Sequence, residues 1–203
     1  FEEAKKHIEK YPAGRQQSAV MPLLTIAQKQ HKNWIPKAAM NHIASILGMP
    51  PMKVYEVASF YSMYNLAPMG KYHLQVCGTT PCWLRGAADV MAACESKLGV
   101  RDGETTEDGL FTLTEVECLG ACVNAPMMQV TSDEIDGYYE DLTPPVAQSI
   151  IDLLAADQVP EWGSQNQRHS SEPSTGLTTL QKVLKPKLAN KITTIEDTGE
   201  PSV

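Results

Sequence analysis

Basic residues are in short supply in this chain. Seventeen Lys and Arg stand against 24 Asp and Glu, a formal net charge of −7. A protein that grips a phosphate backbone normally carries a basic footprint, so this balance argues against nucleic acid. Long apolar runs are absent as well. None approaches the roughly 18 residues of a membrane span, which points to a soluble body with no direct span. No Gly-rich nucleotide fingerprint follows a strand. Gly78 stands alone, which argues against dinucleotide binding by this chain. Cysteine is sparse and odd in number, at five. A secreted disulfide scaffold would be denser and would normally pair all its cysteines, so a reducing compartment is expected. The first residue is Phe1, not Met, which fits removal of an N-terminal targeting segment.

Four of the five cysteines form two close pairs. Cys77 and Cys82 have four residues between them, and Cys118 and Cys122 have three. Two soft-ligand pairs from separate places can close a tetrathiolate site for an iron–sulfur cluster or zinc. The fifth, Cys94, recurs with Val90 and Leu98 at spacing four in a helical stretch. It reads as a small hydrophobe of the core.

At 203 residues the chain can bury a substantial core in one or two domains. The first 69 residues read as a small helical bundle. Its expected helices run over Glu2–Lys10, Ala19–His31, Lys37–Leu47 and Met52–Tyr64, with Gly48 and Pro50-Pro51 as breaks. An α/β layer follows over 70–158. It is expected as a strand His73–Cys77, a helix from about Trp83 to Leu98, strands Leu110–Glu117 and Met127–Thr131, a hairpin into a fourth strand, and a closing helix Pro144–Ala156. Only ten of the 44 residues from Pro160 onward are apolar, so this stretch cannot fold alone. It reads either as a disordered tail or as an extended arm over 159–203. In the second case Trp162, Leu177, Leu180, Val183, Leu184, Ile192 and Ile195 are the anchors on a partner.

Each cysteine pair straddles a strand end. If the first two strands are sheet neighbours, both loops leave one edge and their thiolates converge. A cluster of two ferric ions, two sulfides and four thiolates carries a formal charge of minus two, so it favours N–H donors and close backbone approach. Gly78, Thr79 and Thr80 are expected to offer backbone donors, and the threonines hydroxyls. The helix start near Cys82 adds partial positive charge. Gly120 and Ala121 are small enough for the chain to fold over sulfur. The spacings exclude a plant-type ferredoxin, because the next ligand position is Arg85. They exclude a Rieske site, since His73 is the only nearby histidine, and a CxxC oxidoreductase. Iron–sulfur and zinc both stay open on this ground.

The segments Val76-Cys77-Gly78-Thr79-Thr80-Pro81-Cys82 and Glu117-Cys118-Leu119-Gly120-Ala121-Cys122-Val123-Asn124-Ala125-Pro126 resemble the signature of a known family. It is the thioredoxin-like [2Fe–2S] subunit of respiratory NADH dehydrogenase, complex I. The likeness extends from the helical N-terminus, including Val57-Ala58-Ser59-Phe60-Tyr61-Ser62-Met63-Tyr64, to about Leu154. The resemblance implies a helical bundle followed by a thioredoxin-like domain, with one [2Fe–2S] cluster on Cys77, Cys82, Cys118 and Cys122. It implies a partner subunit that carries FMN and binds NADH, beside other peripheral-arm subunits. It also implies a part in an NADH:ubiquinone reductase with no independent catalytic site here. The long tail looks like that of a mitochondrial form, which would lie on the matrix side of the inner membrane. The other placement is a bacterial cytoplasmic face. Pro126 resembles the cis-proline of thioredoxin-like folds, and a cis Ala125–Pro126 bond is expected.

The implied role is one-electron transfer, with a flavin on the partner taking hydride from NADH and the cluster here holding one electron. Three rivals are set beside it. One is a diaphorase subunit of an NAD-linked hydrogenase or formate dehydrogenase, told apart by its partners. Another is a zinc-stabilised interaction module, which would be colourless. The third is a helix-turn-helix binder around Ile46-Leu47-Gly48, which the acidic balance disfavours.

Overall fold

The structure is a computed structural model, and it describes residues 2–166 together with Arg168, Ser171 and Pro173. The described residues up to Gln165 form one compact unit. The expected anchors from Leu177 to Ile195 lie outside the described residues.

The N-terminal part is helical. It comprises α1 (Glu2–Ile8), α2 (Val20–Gln30), α3 (Lys37–Leu47) and α4 (Pro51–Phe60), with a 3-10 turn, Gln16–Ala19, ahead of α2. Their apolar stripes meet in a core of Leu23, Leu24, Ile35, Ile43, Leu47, Val54 and Ala58. Here α4 stops four residues before the expected end at Tyr64. Tertiary bonds override the helical pattern at that point. Tyr64 turns inward and its hydroxyl donates to the Met21 carbonyl at 3.0 Å. The Asn65 side chain donates to Asn33 O at 2.7 Å, while Ile35 N–H donates to Asn65 O at 2.8 Å.

The rest is built on a five-stranded sheet in the order β2-β1-β3-β4-β5. The strands are β1 (Tyr72–Cys77), β2 (Phe111–Val116), β3 (Met128–Thr131), β4 (Asp136–Glu140) and β5 (Gly163–Ser164). The strand β1, second in that order, runs parallel to β2 and antiparallel to β3. Side chains alternate faces along a strand, and on one face Leu74, Val76, Leu113, Met128, Val130 and Tyr139 pack against two helices. These helices are α6 (Ala87–Leu98) and α7 (Pro144–Ala155), which supply Val90, Cys94, Ile150, Ile151 and Leu154. Cys94 is fully buried there, as its spacing predicts, and burial pushes its thiol up to about 11.

One further expectation is corrected, and one strand is added. The single helix from Trp83 to Leu98 is two helices, α5 (Thr80–Leu84) and α6, separated at Gly86. Gly86 has a φ of +93°, which a residue with a side chain rarely adopts, so the chain turns there between the helices. The strand β5 is not legible in the sequence. It pairs parallel with β4, Tyr139 facing Gly163, and the Tyr139 hydroxyl donates to Pro160 O at 3.1 Å. Trp162 remains 59% exposed, but its ring lies over Gly137, where an added Cβ would meet Cε3 at 2.6 Å.

Candidate metal centre

All four paired cysteines stand at one edge of the sheet. In the parallel ladder Cys77 faces Val116, so β1 and β2 end side by side. The segment after β1 turns into α5 and carries Cys82. The segment after β2 carries Cys118 and Cys122, crosses the end of β1, and enters β3 as its antiparallel neighbour. The expected shared edge is therefore present.

The two pairs differ in setting. Cys77 and Cys82 are each 1% exposed, whereas Cys118 is exposed and Cys122 half-buried. Cys118 Sγ and Cys122 Sγ lie 3.2 Å apart. The charge of Cys122 reaches Cys82, and that of Cys77 reaches Cys122, so the two pairs sit within electrostatic reach of each other. Among the described residues no three His, Cys, Asp or Glu side chains converge on a single metal-ion position. The thiols form two doublets.

Their acidities follow from these surroundings. Burial first, then the hydrogen bond with Cys77, pushes the Cys82 thiol up to about 12. Cys118 is held below the usual thiol range, first by the hydrogen bond from Cys122 and then by the backbone N–H of Gly120. Cys122 is raised by that same bond to Cys118. The backbone N–H of Met127 offsets part of that rise at Cys82. Donors of this kind, small residues and a half-buried thiol set fit a polyanionic cluster.

Two of the donors that the sequence suggests, Gly78 N–H and the Thr79 hydroxyl, are engaged within the protein. Gly78 N–H donates to Val116 O at 3.0 Å, continuing the ladder between β1 and β2. The Thr79 hydroxyl donates to Glu117 Oε2 at 2.9 Å, which braces one cysteine loop against the other. The backbone of Gly120, in the second loop, and of Met127, just ahead of β3, acts to lower the pKa of Cys118 and of Cys82. Gly120 adopts a φ of +91°, so its lack of a side chain is needed for the turn between Cys118 and Cys122. The Ala125–Pro126 bond is cis, as expected.

Sequence reasoning also misses Tyr138. Its hydroxyl donates to Leu119 O at 2.8 Å, and its ring joins a cluster of Cys77, Cys82, Ala87, Ala125 and Met127. Burial first, then the charges of Asp136, Cys118 and Glu140, raise its pKa, so it remains a protonated donor. Its one signal is the pair Tyr138-Tyr139, which the sequence pattern assigns to a hairpin. Around the edge, Trp83, Leu84 and Val123 are 63%, 70% and 68% exposed, each within two residues of a paired cysteine.

Comparisons with known proteins agree with this geometry. A model of the thioredoxin-like [2Fe-2S] ferredoxin family matches residues 4–155. A subunit of the NADH-quinone oxidoreductase of Rickettsia bellii is 54% identical over 150 residues, covering 74% of this chain and 87% of that protein. The corresponding subunit from Rickettsia conorii is 54% identical over 154 residues, covering 76% and 90%. A crystal structure of an NAD+-reducing [NiFe]-hydrogenase in the air-oxidised state has a similar fold, with a TM-score of 0.57 at 17% identity. That match covers 68% of this chain but only 23% of the hydrogenase chain. With both cysteine loops on one sheet edge, a cis-proline entering β3 and a family model spanning bundle and sheet, the chain belongs to the thioredoxin-like [2Fe-2S] ferredoxin family.

Proposed function

We propose that Cys77, Cys82, Cys118 and Cys122 hold one [2Fe–2S] cluster and that the chain is the electron-transfer subunit of an NADH:quinone oxidoreductase. The observation that carries this reading is the convergence of four thiols, as two doublets, on the shared end of β1 and β2. A two-iron cluster takes its thiolates two to each iron, whereas structural zinc gathers four at one centre. When bound, the cluster supplies one-electron chemistry, fed from the FMN of a partner flavoprotein that oxidises NADH.

This chain's own residues position and shield. The buried doublet anchors the cluster against the sheet, and Met127 and Gly120 N–H groups face two of the sulfurs. The exposed doublet opens the site toward solvent, where a partner can approach. Trp83, Leu84 and Val123 flank that opening, and exposed apolar side chains grouped at a site favour a protein contact. The partner is the flavoprotein subunit, with other peripheral-arm subunits beside it.

Domains are proposed at 1–69, 70–158 and 159–203. The peripheral arm is the proposed location, and no helix among the described residues is long and apolar enough to cross a membrane. The relatives named above are bacterial, which supports a cytoplasmic face. They lend nothing to the mitochondrial placement.

Iron and acid-labile sulfide analysis of the purified full chain tests the reading. Two irons and two sulfides per chain, a brown colour and an EPR signal on reduction are expected. Stoichiometric zinc in a colourless protein refutes it. Co-purification with quinone-reducing subunits, and not with a hydrogenase or formate dehydrogenase catalytic subunit, separates it from those two rivals.

A further inference from the structure

The loop that carries Cys118 and Cys122 hangs across the end of β1. On the β1 side it is braced by the Thr79–Glu117 bond. Beyond Cys122 the backbone is tied to the end of β4, where Asp141 N–H donates to Asn124 O at 2.7 Å and Leu142 N–H to Pro126 O at 2.9 Å. Between these ties, the bond that reaches the Leu119–Gly120 peptide from the sheet is the Tyr138 hydroxyl on Leu119 O, at 2.8 Å. Tyr138 faces Gln129, which faces Gln75, so it shares a sheet face with Cys77, two residues on from Gln75.

The carbonyl of Leu119 and the N–H of Gly120 belong to one planar trans peptide, so they point in opposite directions. Drawing the carbonyl toward Tyr138 turns the N–H the other way, to the side of the Cys118 thiol whose pKa it helps to lower. Hydrogen bonds to cluster sulfurs tune the reduction potential. They stabilise the more negative reduced state most.

We propose that Tyr138 is a positioning residue for the cluster, its hydroxyl setting the Leu119–Gly120 peptide so that Gly120 N–H faces the Cys118 sulfur and raises the midpoint potential. The inference rests on the cluster assignment proposed above. The substitution Tyr138→Phe keeps the ring in its packing and removes only the hydroxyl. Tyr72→Phe is the control. It removes a hydroxyl bonded to Asp157 at 2.9 Å, at the other end of β1.

The full chain, wild type and both variants, is assayed for iron and sulfide, for midpoint potential, and for exchangeable-proton couplings in the EPR of the reduced cluster after transfer to D2O. Tyr138→Phe is expected to shift the potential to more negative values and to lose or weaken one strong exchangeable coupling. Tyr72→Phe is expected to change neither. Failure of Tyr138→Phe alone to load a cluster, with an unchanged unfolding midpoint, also supports the role. An unchanged potential and unchanged couplings in a fully loaded Tyr138→Phe protein overturn it, as does a positive shift. Wild-type protein without iron and sulfide instead overturns the cluster assignment itself.

Discussion

Two glycines flank β1, and adding one methyl group to each should have unequal consequences. Gly70 lies just before the strand. A Cβ there would sit 2.7 Å from the Phe111 carbonyl carbon and 3.0 Å from both the Phe111 and Thr112 nitrogens. All three are backbone atoms of β2, fixed by the parallel ladder, in which Tyr72 N–H donates to Leu110 O at 2.8 Å. The clash can be relieved only by prising β1 from β2, which also breaks the 2.7 Å bond from Gly70 N–H to Thr112 Oγ1. Overpacking costs about 1–3 kcal/mol and a lost buried hydrogen bond about 1 more, so Gly70→Ala should cost roughly 2–4 kcal/mol. Gly78, in the first cysteine loop, looks as crowded, with Glu115 Cδ at 2.8 Å and Cγ at 2.9 Å. Those atoms end an exposed, flexible side chain that can swing into solvent. Gly78→Ala should therefore cost less than about 1 kcal/mol, within the range of a surface substitution. Urea unfolding of the full chain followed by circular dichroism reads the difference. With a slope of about 2 kcal/mol per molar, Gly70→Ala should lower the midpoint by about 1–2 M and Gly78→Ala by under about 0.5 M. Equal shifts, or the larger one at Gly78, would refute the reasoning that backbone and side-chain crowding differ in kind.

Other perturbations address the site. Replacing Cys77, Cys82, Cys118 or Cys122 singly by Ser should abolish or alter the EPR signal of the reduced protein, while Cys94→Ser should preserve it. An unchanged signal in Cys118→Ser removes that residue from the ligand set. Trp83→Ala should weaken binding of the flavoprotein partner at least about tenfold, mainly through faster dissociation, as titration by surface plasmon resonance would show. His73 is 5% exposed, bonded through Nε2 to Thr114 Oγ1 at 2.9 Å, and its Nδ1 finds no partner among the described residues. Burial lowers its pKa from 6.5 to about 4. The unfolded chain thus binds this proton first, so stability should fall as pH drops from about 6.5 to 4 and level off below that, by up to about 3 kcal/mol. A His73→Gln variant should flatten that interval of the stability curve, and an identical slope in both proteins would contradict the assignment.

What could be read from the chain without coordinates was whatever depends on near neighbours in sequence. The spacing of Val90, Cys94 and Leu98 placed Cys94 in the core, and the alternation of Leu74 and Val76 identified β1 and its buried face. Positions that depend on partners far along the chain were not readable. The helical pattern through Tyr64 gives way because Met21, Asn33 and Ile35 offer Tyr64 and Asn65 better bonds. Gly78 and Thr79 look like cluster donors in isolation, but the ladder and Glu117 take their bonds. Tyr138 is recognisable only when the register of β3 against β4 is known, because that register puts it on the Cys77 face. The strand β5 has two residues and no alternation to betray it.

The site's location follows from the order of strands more than from the cysteine spacing. A parallel neighbour ends where β1 ends, and an antiparallel neighbour begins there. With β2 on one side of β1 and β3 on the other, three stretches of chain meet at a single edge: the exits of β1 and β2 and the entry to β3. Cys77, Cys118 and Met127 lie on or next to those three ends. The chain between β2 and β3 must cross the end of β1 to join them, and so it carries Cys118 and Cys122 over Cys77. Moving β3 to the far side of β2 would leave every pair spacing unchanged and yet carry that loop away from Cys77. The thiol pairs are therefore necessary for the site, and the position of β1 between β2 and β3 is what brings them together.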